Sequence, residues 1–152
     1  MLARLLGRDL AERLERDARS LEAPASPDIV TEDEVAGLPA TVQRYLRFMG
    51  VVGRPAVTSF RAHLRGEFRM RPGQRFMRTE IWQYNTSAPI ARVFWMRIDM
   101  AGGLLPMVGR DSYLDGRGRM LGKLLDTVVV ADGEGEPFDI GELTTWLWPG
   151  PG

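Results

Sequence analysis

The chain has 152 residues, enough for one domain with a real core, and its apolar (44%) and charged (26%) contents are ordinary for a soluble globular protein. It contains no cysteine, which excludes disulfides, thiol catalysis and cysteine-ligated metals. Net charge is zero but unevenly spread: residues 35–97 hold eleven Arg and two acids, while the segments on either side are acidic.

No apolar run is long enough to span a bilayer, and the N-terminal apolar clusters are broken by charges, unlike a secretion signal. The default expectation is therefore a cytoplasmic protein, with no membrane association from this chain. Residues 2–21 read as an amphipathic helix, with Leu2, Leu6, Leu10, Leu14, Ala18 and Leu21 along one stripe. The opposite face mixes arginines with acids, which argues against an anionic membrane surface.

A loop at EAPASPD follows, and the organisation expected is an N-terminal helix with its linker over 1–30 and a domain over 31–152. Thr31-Glu-Asp-Glu34 is a capping-box signature. Pro39 fits the first position of a second helix that Gly50 closes, with Val42, Leu46 and Met49 as its buried stripe.

From residue 57 the period becomes two. Phe60, Ala62, Leu64 and Phe68 alternate with Arg61, His63, Arg65 and Arg69, which predicts a long strand whose even face is the core. Further strands are expected over 74–84, 90–100, 107–114 and 120–130. The turns are Pro72-Gly73, Asn85 to Pro89, Ala101-Gly-Gly103, Asp115-Gly-Arg-Gly118 and Asp132-Gly-Glu-Gly135. Asp139 is placed to cap a short helix carrying Leu143, Trp146 and Leu147, before Pro149-Gly-Pro-Gly152. The fold class is α+β: N-terminal helices, an antiparallel sheet of about five strands, then a short C-terminal helix.

Enzymatic constellations are sparse. His63 is the single histidine and sits between arginines on a strand face, so no metal or cofactor is expected. Asp132, Glu134 and Glu136 alternate as in a calcium loop, but Pro137 and Leu143 stand where its glycine and bidentate acid belong. The arginine block lacks interleaved aromatics on its own strand face, since Phe60 and Phe68 point the other way, so no nucleic-acid partner is expected. A catalytic alternative is a hydrolase built on Asp111 and Asp115 with Arg110. What remains is an excess of Met and aromatic side chains on strands that already have a core side, the composition of an adaptable apolar pocket.

The wording LPATVQRYLRFMGVVGRP, ARVFWMRIDM, LLPMVGRDSYLDGRGRMLGKLL and FDIGELTTWL resembles a bacterial domain-of-unknown-function family over roughly residues 35–147. The resemblance implies a sheet similar to the half-barrel of bacterial lipoprotein carriers, hence a partial half-barrel here. It also implies a domain that continues past Thr144-Thr145-Trp146 and is incomplete in this chain. The expected function is non-enzymatic binding of a lipophilic or acylated ligand on a concave sheet face. Trp82, Tyr84, Arg92, Phe94, Met96, Met107, Arg110 and Tyr113 are its candidate ligand-binding residues. Self-association through an exposed sheet edge, or completion by a partner subunit, would follow from an incomplete sheet.

Overall fold

Alternating side chains and well-spaced turns produce a meander. A computed structural model of the protein describes residues 2–21 and 28–147, with side chains from residue 9 to 146 within those ranges. The elements are α1 (Leu2–Ser20), α2 (Glu32–Ala36), α3 (Ala40–Phe48), β1 (Ser59–Phe68), β2 (Met77–Ser87), β3 (Ile90–Met100), β4 (Leu105–Leu114), β5 (Arg117–Leu124), β6 (Val128–Glu134) and α4 (Glu136–Leu147). All six strands among the described residues pair antiparallel in sequence order, giving one open sheet. The α+β class holds, with one strand more than expected.

The extra strand comes from the segment 120–130, expected as a single strand. It splits at Leu125 and Asp126, whose φ values of 53° and 59° give the two positive central dihedrals of a tight hairpin turn. No glycine or proline marks that turn. It is braced instead from α1, where Arg13 donates two hydrogen bonds to the Asp126 carboxylate, at 3.1 and 2.5 Å. The expected turn at 132–135 is correspondingly the end of β6 followed by Gly135. Likewise Asn85, Thr86 and Ser87, expected in a loop, extend β2, and the chain reverses at Ala88-Pro89.

The backbone groups into two compact units, one made of α1, the sheet and α4, the other of α2 and α3. In the first unit, Leu10, Leu14 and Ala18 of α1 are buried against Trp82, Tyr84, Val93 and Val108. The side chains of Leu2, Leu5 and Leu6 lie outside the described residues, as do the EAPASPD loop up to Pro27, the Leu147 side chain and the PGPG ending.

This core lies on the face opposite to the one expected for β1. Arg61 and His63 pair directly with Tyr84 and Trp82, so they share the face that α1 covers. Phe60 and Phe68, expected in the core, are each 41% exposed on the other face. The reason lies in β2 and β3, whose Trp82, Tyr84 and Val93 project to that face and are buried with Leu10, Leu14 and Ala18 of α1. Their burial also alters the aromatic parity of the arginine block, because Trp82 and Tyr84 lie on the arginine face but beneath the helix. The arginines themselves are largely engaged. Arg61 lies over the Tyr84 ring, Arg65 and Arg97 bind Glu80, and Arg92 binds Glu142.

In the second unit Thr31 caps α2 through the expected capping box, with Thr31 N–H donating to Glu34 Oε2 at 2.7 Å. Pro39 occupies the N-cap of α3, one position before that expected. The stripe of Val42, Leu46 and Met49 is not buried: no residue of α3 is, and Phe48 is 87% exposed. Val35 of α2 is buried instead, at 1% exposed.

Candidate functional site

Strand parity sorts the remaining side chains of the sheet. On the face opposite α1, the cross-strand register forms four rows. The first is Phe60, Asn85, Arg92, Tyr113 and Gly118. The second is Ala62, Gln83, Phe94, Asp111, Met120 and Gly133. The third and fourth are apolar or small: Leu64, Ile81, Met96, Gly109, Gly122 and Ala131, then Gly66, Thr79, Ile98, Met107, Leu124 and Val128. An apolar field thus adjoins a polar one on a single surface.

The helix α4 lies over the polar end. Gly118 and Gly133 make this possible, because a Cβ on Gly118 would stand 2.2 Å from the Phe138 carbonyl oxygen and one on Gly133 would stand 2.2 Å from the Phe138 ring. Asp139, expected as the helix cap, sits inside the first turn and accepts a hydrogen bond from the Gly118 N–H at 2.7 Å. At the other end of α4, Trp146 Nε1 donates to the Thr86 carbonyl at 3.1 Å.

Docking α4 brings Glu142 onto Arg92, whose Nη1 donates to Glu142 Oε2 at 2.5 Å. Arg92 also lies over the Phe94 ring, its guanidinium carbon 4.7 Å from the centroid. Burial pushes the Asp111 carboxyl above its ordinary value, against the pull of Arg92. Glu142 is raised too, first by burial and then by the charge of Asp111, while Arg92 opposes the shift. Burial in turn pushes Arg92 down. One cation therefore faces two carboxyls that both resist ionising.

Alongside, Gln83 Nε2 donates to Asn85 Oδ1 at 2.7 Å. Asn85 and Arg92 are each 3% exposed and stand directly opposite one another across β2 and β3. Asn85 Nδ2 and Arg92 Nε have no hydrogen-bond partner among the described residues. Leaving a buried donor unpaired costs about 1–3 kcal/mol, so two in adjacent positions are an unusual expense.

The candidate residues separate by face. Arg92, Phe94, Met96, Met107 and Tyr113 share the surface just described, whereas Trp82, Tyr84 and Arg110 lie under α1. Trp82 and Tyr84 are core side chains, and Trp82 also stacks on His63 with centroids 5.0 Å apart. Arg110 Nε donates to Asp17 Oδ2 at 3.3 Å, and the same carboxylate oxygen accepts from Trp95 Nε1 at 3.0 Å. The hydrolase grouping is not assembled. Arg110 and Asp111 are strand neighbours and so project to opposite faces, and Asp115 sits in the β4–β5 turn with φ of 52°. Glu142, Gln83 and Asn85 escaped the sequence reading. The alternation of β2 could have shown that Gln83 and Asn85 share a face, but nothing local ties Glu142 to a strand fifty residues away.

Among the described residues no group of His, Cys, Asp and Glu is arranged to hold a metal ion, and no helix is long and apolar enough to cross a membrane. A family model described as a family of unknown function (DUF6544) matches residues 28–148. No curated protein and no solved structure matches the chain.

Proposed function

We propose that this chain, which belongs to that family of unknown function, is a non-enzymatic binding protein for a lipophilic or acylated small molecule. The ligand lies along the apolar rows of the sheet face opposite α1. The supporting observation is the run from Leu64 through Ile81 and Met96 to Gly109, Gly122 and Ala131. Within that row the bulky side chains stand on β1 to β3, and β4 to β6 contribute glycine, glycine and alanine. Met96 reaches over Gly109, its Cε 3.7 Å from where a Cβ there would stand. The ligand trough of this proposal crosses the strands along that row. Methionine beside such a trough adapts to chains of different shape at little cost. Phe60, Leu64 and Phe68 remain exposed along its β1 side, an apolar area that water covers at a free-energy cost and an alkyl chain would cover at a gain.

The test is a lipophilic-dye titration paired with native mass spectrometry of gently extracted protein. Dye fluorescence rises on binding, and Met96→Glu, which sets a charge in the trough, weakens binding at least about tenfold. A dye that shows no gain, together with protein free of co-purified lipid, would overturn the reading.

A further inference from the structure

We propose that the end of the sheet carrying the β1–β2, β3–β4 and β5–β6 turns is a docking surface for an anionic lipid membrane. Arginines of the first turn bind the lipid phosphates, and the apolar tips of all three turns enter the interface. The inference goes beyond the ligand reading and stands whether or not the trough is filled.

An antiparallel meander sends alternate turns to opposite ends of its sheet. The pairs Phe68–Met77, Met100–Leu105 and Leu124–Val128 close three hairpins at one end, beyond which lie the turns 69–76, 101–104 and 125–127. Phe68, Met70, Phe76, Leu104, Leu105 and Leu125, on or beside these turns, are all exposed, Leu104 to 80%. The turns at the other end, Ala88-Pro89 and Asp115-Gly116, carry no large apolar side chain. Single apolar residues scattered over a surface are ordinary, but six gathered at one end mark a contact surface.

The charge at that end is one-sided. Residues 68–78 hold Arg69, Arg71, Arg75 and Arg78 and no acid. Arg71, Arg75 and Arg78 are exposed and make no ion pair among the described residues. Asp126, the acid of the β5–β6 turn, is neutralised by Arg13. The first turn is built rather than frayed: Met70 N–H donates to Gln74 Oε1 and Gln74 N–H to the Arg71 carbonyl, both at 3.2 Å. Arg69 lies over the Phe76 ring, its guanidinium carbon 4.9 Å from the centroid. A cation set on an apolar ring suits the boundary where lipid phosphates meet acyl chains. The expectation of no membrane association rests on α1, whose polar face mixes both signs, and peripheral docking by turns needs no spanning helix. Single-stranded nucleic acid would match the arginines, but its bases stack on aromatic rings, and four of the six apolar tips are Met or Leu.

The test is co-sedimentation of the full chain with vesicles of phosphatidylcholine, alone or with about 30% phosphatidylserine. Binding is expected with the anionic vesicles only, and it weakens as salt screens the charges. A basic residue near such a surface is worth about fivefold in partitioning, so Arg71→Gln with Arg75→Gln should weaken binding about 25-fold. Leu104→Ser should weaken it about fivefold at unchanged charge. Arg117→Gln, at the opposite end of the sheet, should leave it unchanged. These side chains are all exposed, and circular dichroism checks that each variant folds. Absent binding to anionic vesicles, equal binding to neutral ones, or wild-type binding by the double arginine variant or by Leu104→Ser would each overturn the inference. If Arg117→Gln weakens binding as much as the double variant, the attraction is general and the docking end is wrong. Release of the protein from the vesicles by a single-stranded oligonucleotide at equal phosphate concentration would assign the arginines to nucleic acid instead.

Discussion

Asp111 and Glu142 are carboxyls whose ionisation burial opposes in the folded chain but not in the unfolded one. A carboxyl with its folded value raised holds more protons folded than unfolded as pH climbs past its ordinary value. Its contribution to stability is then lost as pH rises toward the raised one. Glu80 works the other way. Burial alone would raise it, but hydrogen bonds from Arg65 and His63 and the charge of Arg97 hold it low, so its contribution is lost as pH falls. The expected result is a stability decline as pH climbs above the ordinary carboxyl range that Asp111→Asn makes shallower, read from melting temperatures of both proteins from acid to neutral pH. Parallel wild-type and variant curves would count against a raised Asp111. Sequence reasoning found Arg92 and Asp111 but assigned Asp111 to Arg110 and Asp115, its neighbours in sequence. In a strand, adjacency separates side chains, and the real companions of Asp111 come from β3 and from α4.

Elements were more legible than sites, because periodicity and turn chemistry are local. The long alternation of β1, the hairpin at Asp115-Gly116 and the capping box at Thr31 were all readable. The β5–β6 turn was not, since Leu125-Asp126 carries little turn signature and depends on Arg13 for its brace. The docking of α4 was equally hidden, because it depends on what two strand glycines leave out. Gly118→Ala would drive a Cβ into the Phe138 backbone and should cost about 1–3 kcal/mol, read by denaturant melts. Gly141, within α4, has nothing within 4 Å of where a Cβ would stand. Gly141→Ala should therefore stabilise by about 0.5–1 kcal/mol, through helix propensity alone. The opposite signs of these two substitutions separate contact from propensity.

At the scale of the whole molecule, the sheet is open, so β1 and β6 each present one unpaired edge. The two edges differ in what guards them. Beside β1 stand Arg61, His63 and Arg65, charged or ionisable groups of the kind that discourage strand addition. In β6 the consecutive residues Val128, Val129 and Val130 are 57%, 54% and 55% exposed, a short β-branched run without a charge until Asp132. Such a run favours pairing with another strand, and a second copy of β6 in antiparallel register would bury valines against valines. The expected outcome is an apparent mass that rises with concentration in size-exclusion chromatography with light scattering. Val129→Glu should suppress it, since the new carboxylate lies opposite Lys123 in the chain's own sheet and is tolerated there. Across a β6–β6 seam the same carboxylate would meet its copy at close range. A wild type that stays monomeric at every concentration would refute pairing through β6. Association that survives Val129→Glu would instead assign it to the exposed apolar face, where the ligand trough and self-association would compete, and saturating dye would then dissociate the complex.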